Sequence, residues 1–325
     1  MKAVTYKRYG SAEVLDIEDV TLPELSANQV LVRVCAAGLN PADWHLMRGT
    51  PYLVRAQSGL RRPKNIHFGV DMAGVVEKVG EEVLGLKVGD AVFGGSRYGI
   101  SEYVITAQKN ITTMPQNLNF DQAAAIPVAG YTALQAVRDK GKAKPEQSVL
   151  IVGASGGVGT LAVQIAKSFG AEVTGVCSTR NIDLVKSIGA DHVIDYTQEE
   201  FFKGGKKFDV VIQAAGNYSL SELRRALKPK GVLVKAGDSS GTKGQFGWGF
   251  IFGMLKTWIV SKFTSQSLGG MLARTNSADL KTLSDLAAAG KLTPVIDQVF
   301  PMGKVREAVQ HLETGHARGK VIISI

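Results

Sequence analysis

The chain has 325 residues, 45% hydrophobic and 21% charged, enough apolar material for one large core or two ordinary ones. Its formal net charge is +9, yet no Lys/Arg run exceeds two residues and no zinc-finger or RNA-motif signature is present, so no nucleic acid is expected as partner. Cys35 and Cys177 stand far apart, MKAVTYKRYG has no secretory h-region, and no apolar run reaches the ~18–20 residues of a membrane span, which together point to a reducing, cytoplasmic setting.

Residues 1–120 read as strands and turns. Ala3–Tyr6, Gln29–Ala37, Gly74–Val79, Ala91–Phe93 and Glu102–Ile105 are rich in β-branched or aromatic residues, with Gly, Pro or Asn often beside them. From Asp121 the texture changes. Helices are expected at Asp121–Ala125 and Ala133–Lys140, and then strands and helices alternate. The expected strands are Ser148–Val152, Glu172–Cys177, His192–Ile194, Phe208–Gln213 and Gly231–Val234. Helices to Phe169, to Ile188 and over Leu220–Leu227 separate them, the signature of βαβ units and a parallel, doubly wound sheet. The segment 244–263 breaks the rhythm with Trp248, Phe250, Phe252, Trp258 and Phe263 at partly helical spacing. It reads as a lid, as a subunit contact or, less favoured because basic residues are few, as a weak membrane-surface contact. Ser277–Ala289 follows as a helix with Ser277 as N-cap and Gly290 as its stop, then a strand Val295–Phe300, a helix Lys304–Leu312 and a last strand Lys320–Ile325.

Between Ser148–Val152 and its helix lies Gly153-Ala154-Ser155-Gly156-Gly157-Val158-Gly159. Glycines there let the backbone turn sharply, let a pyrophosphate approach, and let helix and strand pack closely. The bare N–H groups and the dipole of a helix start attract an anion. A dinucleotide is therefore the expected ligand. Its type follows from the end of the second strand, Cys177-Ser178-Thr179-Arg180-Asn181, where no carboxylate stands to take a ribose 2′-hydroxyl. Arg180 and the hydroxyls of Ser178 and Thr179 suit a 2′-phosphate, so NADPH is the expected cofactor.

Several stretches resemble the medium-chain dehydrogenase/reductase superfamily, in its zinc-free quinone oxidoreductase branch with zeta-crystallin and the reticulon-interacting reductases. They are GLNPAD at 38–43, FGVDMAG at 68–74, GLKVGDAV at 85–92, IPVAGYTA at 126–133, the glycine turn, GAD at 189–191 and GHARGKV at 315–321. The resemblance implies a GroES-like, mostly β catalytic domain from both chain ends (1–123 and 266–325) and a Rossmann domain between them (124–265), with the cofactor in the cleft. It implies a homodimer. It also implies that Gly130 and Thr132 approach the nicotinamide ribose, that Tyr196 lies near the adenosine phosphate, and that Arg318 and Lys320 close on the cofactor. Gly237, ending the fifth strand, lets its backbone approach the nicotinamide.

The zinc alcohol dehydrogenases are similar but need Cys, His-Glu and Cys around a catalytic metal. Here Leu39-Asn40-Pro41 and Val70-Asp71 fill those positions, and no metal is expected. Without a Lewis acid the fitting reaction is hydride transfer from NADPH to an already polarised acceptor, a quinone or an α,β-unsaturated carbonyl. The resemblance places Asn40 and Asp43 on the loop lining the nicotinamide end. Asn40 can donate to a carbonyl, although Asn40-Pro41 is equally a turn dipeptide. Tyr52 can serve as acid or hydrogen-bond donor, or as an apolar loop anchor. A zinc-type alcohol dehydrogenase and a cofactor-binding interaction protein with little turnover are the alternatives.

Overall fold

The computed structural model describes residues 1–96, 98–237, 257 and 259–325. Most of the aromatic segment 244–263, and with it the lid, subunit-contact and membrane readings, lies outside the described residues. The chain divides into two compact units: Met1–Tyr131 with Thr275–Ile325, and Thr132–Arg274.

The first unit is the expected mostly β domain drawn from both chain ends. Its seven-stranded sheet runs Ile296–Pro301, Lys320–Ser324, Gln29–Gly38, Asp71–Val79, Ala91–Gly95, Ile111–Thr113, with Tyr103–Ala107 also paired to Gln29–Gly38. The last strand lies antiparallel to Gln29–Gly38, with Ile322 opposite Gly38 and Ser324 opposite Ala36. Alternate residues Val30, Val32 and Val34 pack with Met72, Val76 and Val92 in one buried cluster. Leu39, Met47, Phe68, Val321 and Ile323 belong to another.

Asn40-Pro41 is more than a turn. It opens the helix Pro41–Arg48, with Asn40 extended at the N-cap, Pro41 at the first position and Gly49 closing it at φ 59°. Asp43, in the first turn, accepts from the Asn40 N–H at 2.8 Å. The later helix Ser277–Ala288 is capped by Asn276, whose Oδ1 accepts from the Asp279 N–H at 2.8 Å. Ser277, the expected cap, is already its first helical residue, because Asn276 reaches the free N–H first.

Among its described residues the second unit holds six parallel strands in the order His192–Asp195, Glu172–Cys177, Ser148–Val152, Phe208–Gln213, Leu227–Lys235, Ser267–Gly270. Numbered along the chain this is 3-2-1-4-5-6, the doubly wound dinucleotide-binding order. The central strand SVLIV is buried throughout, as a parallel strand covered on both faces must be. Ser267–Gly270, a strand not expected from its residues, pairs parallel with Leu227–Lys235. The division after residue 274, rather than at 265, follows from that pairing. At the other boundary, residues up to 131 pack into the first unit: a Cβ on Gly38 would strike Ala124 O at 2.3 Å, and one on Gly130 would meet Leu283 at 2.8 Å. Among the described residues, no helix is long and apolar enough to cross a membrane.

Candidate functional site

Four polar side chains meet inside the first unit where the last strand reaches the start of the helix Pro41–Arg48. Asp71 is fully buried, and Asn40, Asp43 and Lys320 are 3–4% exposed. The Lys320 Nζ donates to Asn40 Oδ1 at 2.6 Å and to Leu39 O at 2.9 Å, and lies 3.3 Å from Asp71 Oδ2. Asn40 Nδ2 donates to Asp71 Oδ2 at 2.9 Å, and Asp71 Oδ1 accepts from the Val128 N–H at 3.1 Å. Lys320 therefore points inward to the sheet, not outward as a tail residue poised over a cofactor. Sheet register decides this. Ile322 faces Gly38, so Lys320 lies beside Leu39 and Asn40.

One ammonium serves two carboxylates, and burial makes each carboxylate reluctant to ionise. Desolvation raises Asp71, opposed by Lys320 and by the hydrogen bonds from Asn40 and Val128. Asp43 is pushed up to about 7, first by desolvation and then by the neighbouring Asp71, against the Asn40 N–H and Lys320. The cluster thus retains a proton near neutral pH.

Asp43 and Asp71 border a cavity of about 360 Å³ in the same unit, walled on its apolar side by Leu46, Phe68, Val70 and Pro127. That volume lies within the range of small-molecule pockets. Tyr6 and Tyr131 also line it; burial raises both hydroxyls, Tyr6 to about 12, and neither is a ready proton source at neutral pH. His67 lines it as well, packed on Tyr98, with a buried Nδ1 that has no partner. Tyr131 lies within the matched stretch IPVAGYTA and His67 directly before FGVDMAG, whereas Tyr6, just after the first strand, has no such signal in the sequence. Asn40 is not among the lining residues, and both ends of its amide are engaged by Asp71 and Lys320. Tyr52 is not among them either. Arg55 lies over its ring at 4.5 Å and over that of Tyr9 at 4.4 Å, which fits a loop anchor.

In the second unit the three glycines of G-x-x-G-x-x-G have separable causes. Gly153 sits at φ 83°, where a side chain is strained. A Cβ on Gly159 would meet Gly153 O at 2.0 Å. At Gly156 a Cβ would meet nothing nearer than Gly153 O, at 3.6 Å, and the backbone is ordinary, φ −85°. Nothing among the described residues requires glycine there, and the space a side chain would take is open. No side chain caps the helix Gly157–Ser168, so the first N–H groups, including those of Gly157 and Val158, face this cradle. Asn181, another residue the sequence did not reveal, ties the turn to the second strand end by donating to Ser155 Oγ at 3.0 Å and Ser178 Oγ at 3.3 Å. Its Oδ1 and the Oε1 of Gln213, at the end of Phe208–Gln213, are buried without partners. Orphan polar atoms at the carboxyl ends of parallel strands suit a bound dinucleotide.

Arg180 is exposed at the second strand end and Tyr196 is half exposed beyond the third. An acid does occupy this neighbourhood. Asp195, paired in register with Cys177, accepts from Thr179 Oγ1 at 2.5 Å and from the Thr197 N–H and hydroxyl at 2.9 and 2.8 Å. Its acceptors are spent on threonines, so it is not presented as a ribose ligand. A Cβ on Gly237 would meet Ala214 O at 2.7 Å, which gives that glycine a packing cause, as Leu283 does for Gly130. Thr132 is buried and Arg318 exposed.

Comparison with known proteins agrees with this architecture. The family described as alcohol dehydrogenase GroES-like domain matches residues 26–138, and that described as zinc-binding dehydrogenase matches residues 188–323. The chain is 37% identical to a 2-methylene-furan-3-one reductase of Solanum lycopersicum, over 99% of this chain and 79% of that protein. It is 34% identical, with the same two coverages, to an NADPH-dependent alkenal/one oxidoreductase of Arabidopsis thaliana that is chloroplastic by name. Its fold superposes on Escherichia coli quinone oxidoreductase complexed with NADPH with a TM-score of 0.84 and 25% identity, covering all of both chains.

The zinc implied by one family description does not fit the residues present. A catalytic zinc takes three protein ligands from Cys, His and carboxylate. The cluster supplies two carboxylates, and the ammonium of Lys320 already stands between Asn40 and Asp71. Among the described residues, no group of three or more His, Cys, Asp or Glu is placed to hold a metal ion.

Two outcomes are expected. Gly156→Ala should fold with native thermal stability but lose nicotinamide-cofactor affinity by tenfold or more, whereas Gly159→Ala should fail to fold stably; calorimetric melting and fluorescence titration separate the two. Lys320→Met should cost about 3–5 kcal/mol at neutral pH, the penalty for breaking a buried pair. That loss should shrink as pH falls. The stranded Asp71, its folded pKa raised above the unfolded value, then takes a proton, and the folded state binds more protons than the unfolded one. Urea unfolding at a series of pH values measures it; a pH-independent loss would point to packing alone.

Proposed function

The chain belongs to the medium-chain dehydrogenase/reductase superfamily, in its quinone oxidoreductase branch, and on that premise we propose that it is an NADPH-dependent reductase delivering hydride to a quinone or an α,β-unsaturated carbonyl. The carrying observation is a cavity with an apolar wall that the raised carboxyl of Asp43 borders, beside which no group of described residues is placed to hold a metal ion. The activities named for its relatives support the same reading.

When bound, the cofactor supplies hydride. The glycine turn and the open helix start at Gly156 hold its pyrophosphate, and Arg180 with Ser178 holds the 2′-phosphate. Tyr196, Gly237, Gly130 and Thr132 remain proposed cofactor contacts. The apolar wall of the cavity orients the acceptor, while Asp43 holds the second hydrogen as a proton. Its Oδ2 accepts from the Asn40 N–H, so the proton rests on Oδ1. Asn40, gripped by Asp71 and Lys320, positions Asp43 rather than touching the acceptor. A conjugated acceptor suits this apparatus, because hydride addition to its β-carbon leaves an enolate that needs only protonation.

We read the protein as a homodimer of a reducing compartment such as the cytoplasm. The outer side of Ser267–Gly270 has no partner strand among the described residues, and Phe263 and Leu272 beside it are 86% and 82% exposed. Cys35 and Cys177 are both free.

Mixing the protein with NADPH and a panel of quinones and enones, and following cofactor absorbance, tests the activity; binding without oxidation across the panel would favour a non-catalytic role. Arg180→Ala should weaken NADPH by roughly ten- to hundredfold, the worth of a charge-assisted contact, and leave NADH nearly untouched. Equal losses would remove the 2′-phosphate assignment. For an enone, kcat should fall as pH rises through about 7, where Asp43 loses the proton it donates. Asp43→Asn should cost about a hundredfold and flatten that profile, with a much smaller loss for a quinone, whose product anion is readily protonated by water.

A further inference from the structure

The polar wall of the cavity is divided by charge. Its two acids, Asp43 and Asp71, are both buried. Its two lysines, Lys64 and Lys109, are both exposed, which sets them on the solvent side of the wall, and Asn65, Asn110 and Asn276 line the cavity as well. Lys64 follows the loop that ends the Arg61-Arg62-Pro63 stretch, and Lys109 sits in the short turn Gln108–Asn110, so the two arrive from different parts of the sheet. Among the described residues neither lysine has an ion-pair partner, although ion pairs are common elsewhere on this surface.

We propose that the acceptor taken by this cavity carries an anionic group, a carboxylate or a phosphate, at the end remote from its reducible carbonyl, and that Lys64 and Lys109 bind that group at the rim. The inference rests on the reductase reading and adds the substrate class to it. Electrostatics sets the orientation. An anion driven to the floor would lose its hydration beside Asp71 and the protonated Asp43, where the Lys320 ammonium is already engaged and, Lys64 and Lys109 apart, no described lysine or arginine lines the wall to offset the cost. The same anion at the rim meets two unpaired ammonium groups. A neutral carbonyl conjugated to an alkene has no such penalty at depth and is matched to the proton on Asp43. A molecule charged at one end and conjugated at the other therefore enters in one sense only. Lysine, a compact point charge with flexible reach, accepts either anion.

The test uses a straight-chain vinyl ketone ending in a carboxylate, its methyl ester, and the corresponding phosphate, each assayed with NADPH. The wild-type protein should favour the anions over the ester in kcat/KM by roughly three- to thirtyfold, as two exposed ion pairs allow, and the preference should shrink as salt rises. In Lys64→Ala with Lys109→Ala the anion-to-ester ratio should approach one; in Lys64→Glu with Lys109→Glu it should invert. A greater gain for phosphate than for carboxylate, or the reverse, identifies the tail. Turnover of the ester with no anion preference overturns this inference and leaves the reductase reading intact. So does a lysine effect that appears in KM for NADPH instead of the acceptor. No turnover of any of the three, with cofactor bound, defeats the reductase reading itself.

Discussion

The buried ammonium of Lys320 is the constraint on which the catalytic unit depends. Two carboxylates and an asparagine amide are drawn out of water within a few ångströms of one another, and only one fixed positive charge is there to meet them. Such a cluster is costly to desolvate and survives only with its hydrogen bonds made. It also links distant parts of the chain. Lys320 arrives on the last strand, Asn40 and Asp43 at the start of the helix after Gln29–Gly38, and Asp71 at the head of its own strand, with Val128 bonded to its second oxygen. The cluster, though not the lining of the cavity, is complete only when the strand Lys320–Ser324 has docked.

Much of this was legible in the sequence, and what was not has a common cause. The alternation of strands and helices after residue 121, the glycine turn and the matched stretches led to two domains of the right classes, because periodicity and turn chemistry are local signals. Register between strands far apart in sequence is not local. Lys320 within GHARGKV reads as a tail residue until Ile322 is seen opposite Gly38. Asn40 reads as a free donor until Asp71 and Lys320 are found on its amide. The edge strand Ser267–Gly270, SLGG, carries too little β-forming character to announce itself and exists because its neighbour offers a ladder. Asn181 and Asp195 escaped notice for a similar reason: each acts across from one strand end to the next.

The three glycines of the nucleotide turn show how a structure sharpens a motif. In sequence they are equivalent. In space Gly153 answers to backbone geometry and Gly159 to the carbonyl it packs against, while Gly156 answers to nothing in the protein. A residue with no internal reason to be small is evidence about what lies outside the chain.

The charge count of the cluster then accounts for the kind of chemistry it suits. A metal centre stabilises negative charge on oxygen by staying put. This centre has no such donor set; it has two acids, one ammonium and, with Asp43 raised to about 7, a proton to give near neutrality. Hydride transfer to a conjugated carbonyl adds an electron pair and one hydrogen, and the product needs one proton more. A buried carboxyl that keeps its proton because it is desolvated, and further because a second carboxylate crowds it, is suited to yield that proton to a basic anion formed beside it. The Asn40 N–H and Lys320, which favour the ionised form, keep Asp43 from becoming so weak an acid that it withholds the proton. Two carboxylates to one ammonium is thus a ratio that fits delivery of a proton, whereas a fully neutralised pair would fit structure alone.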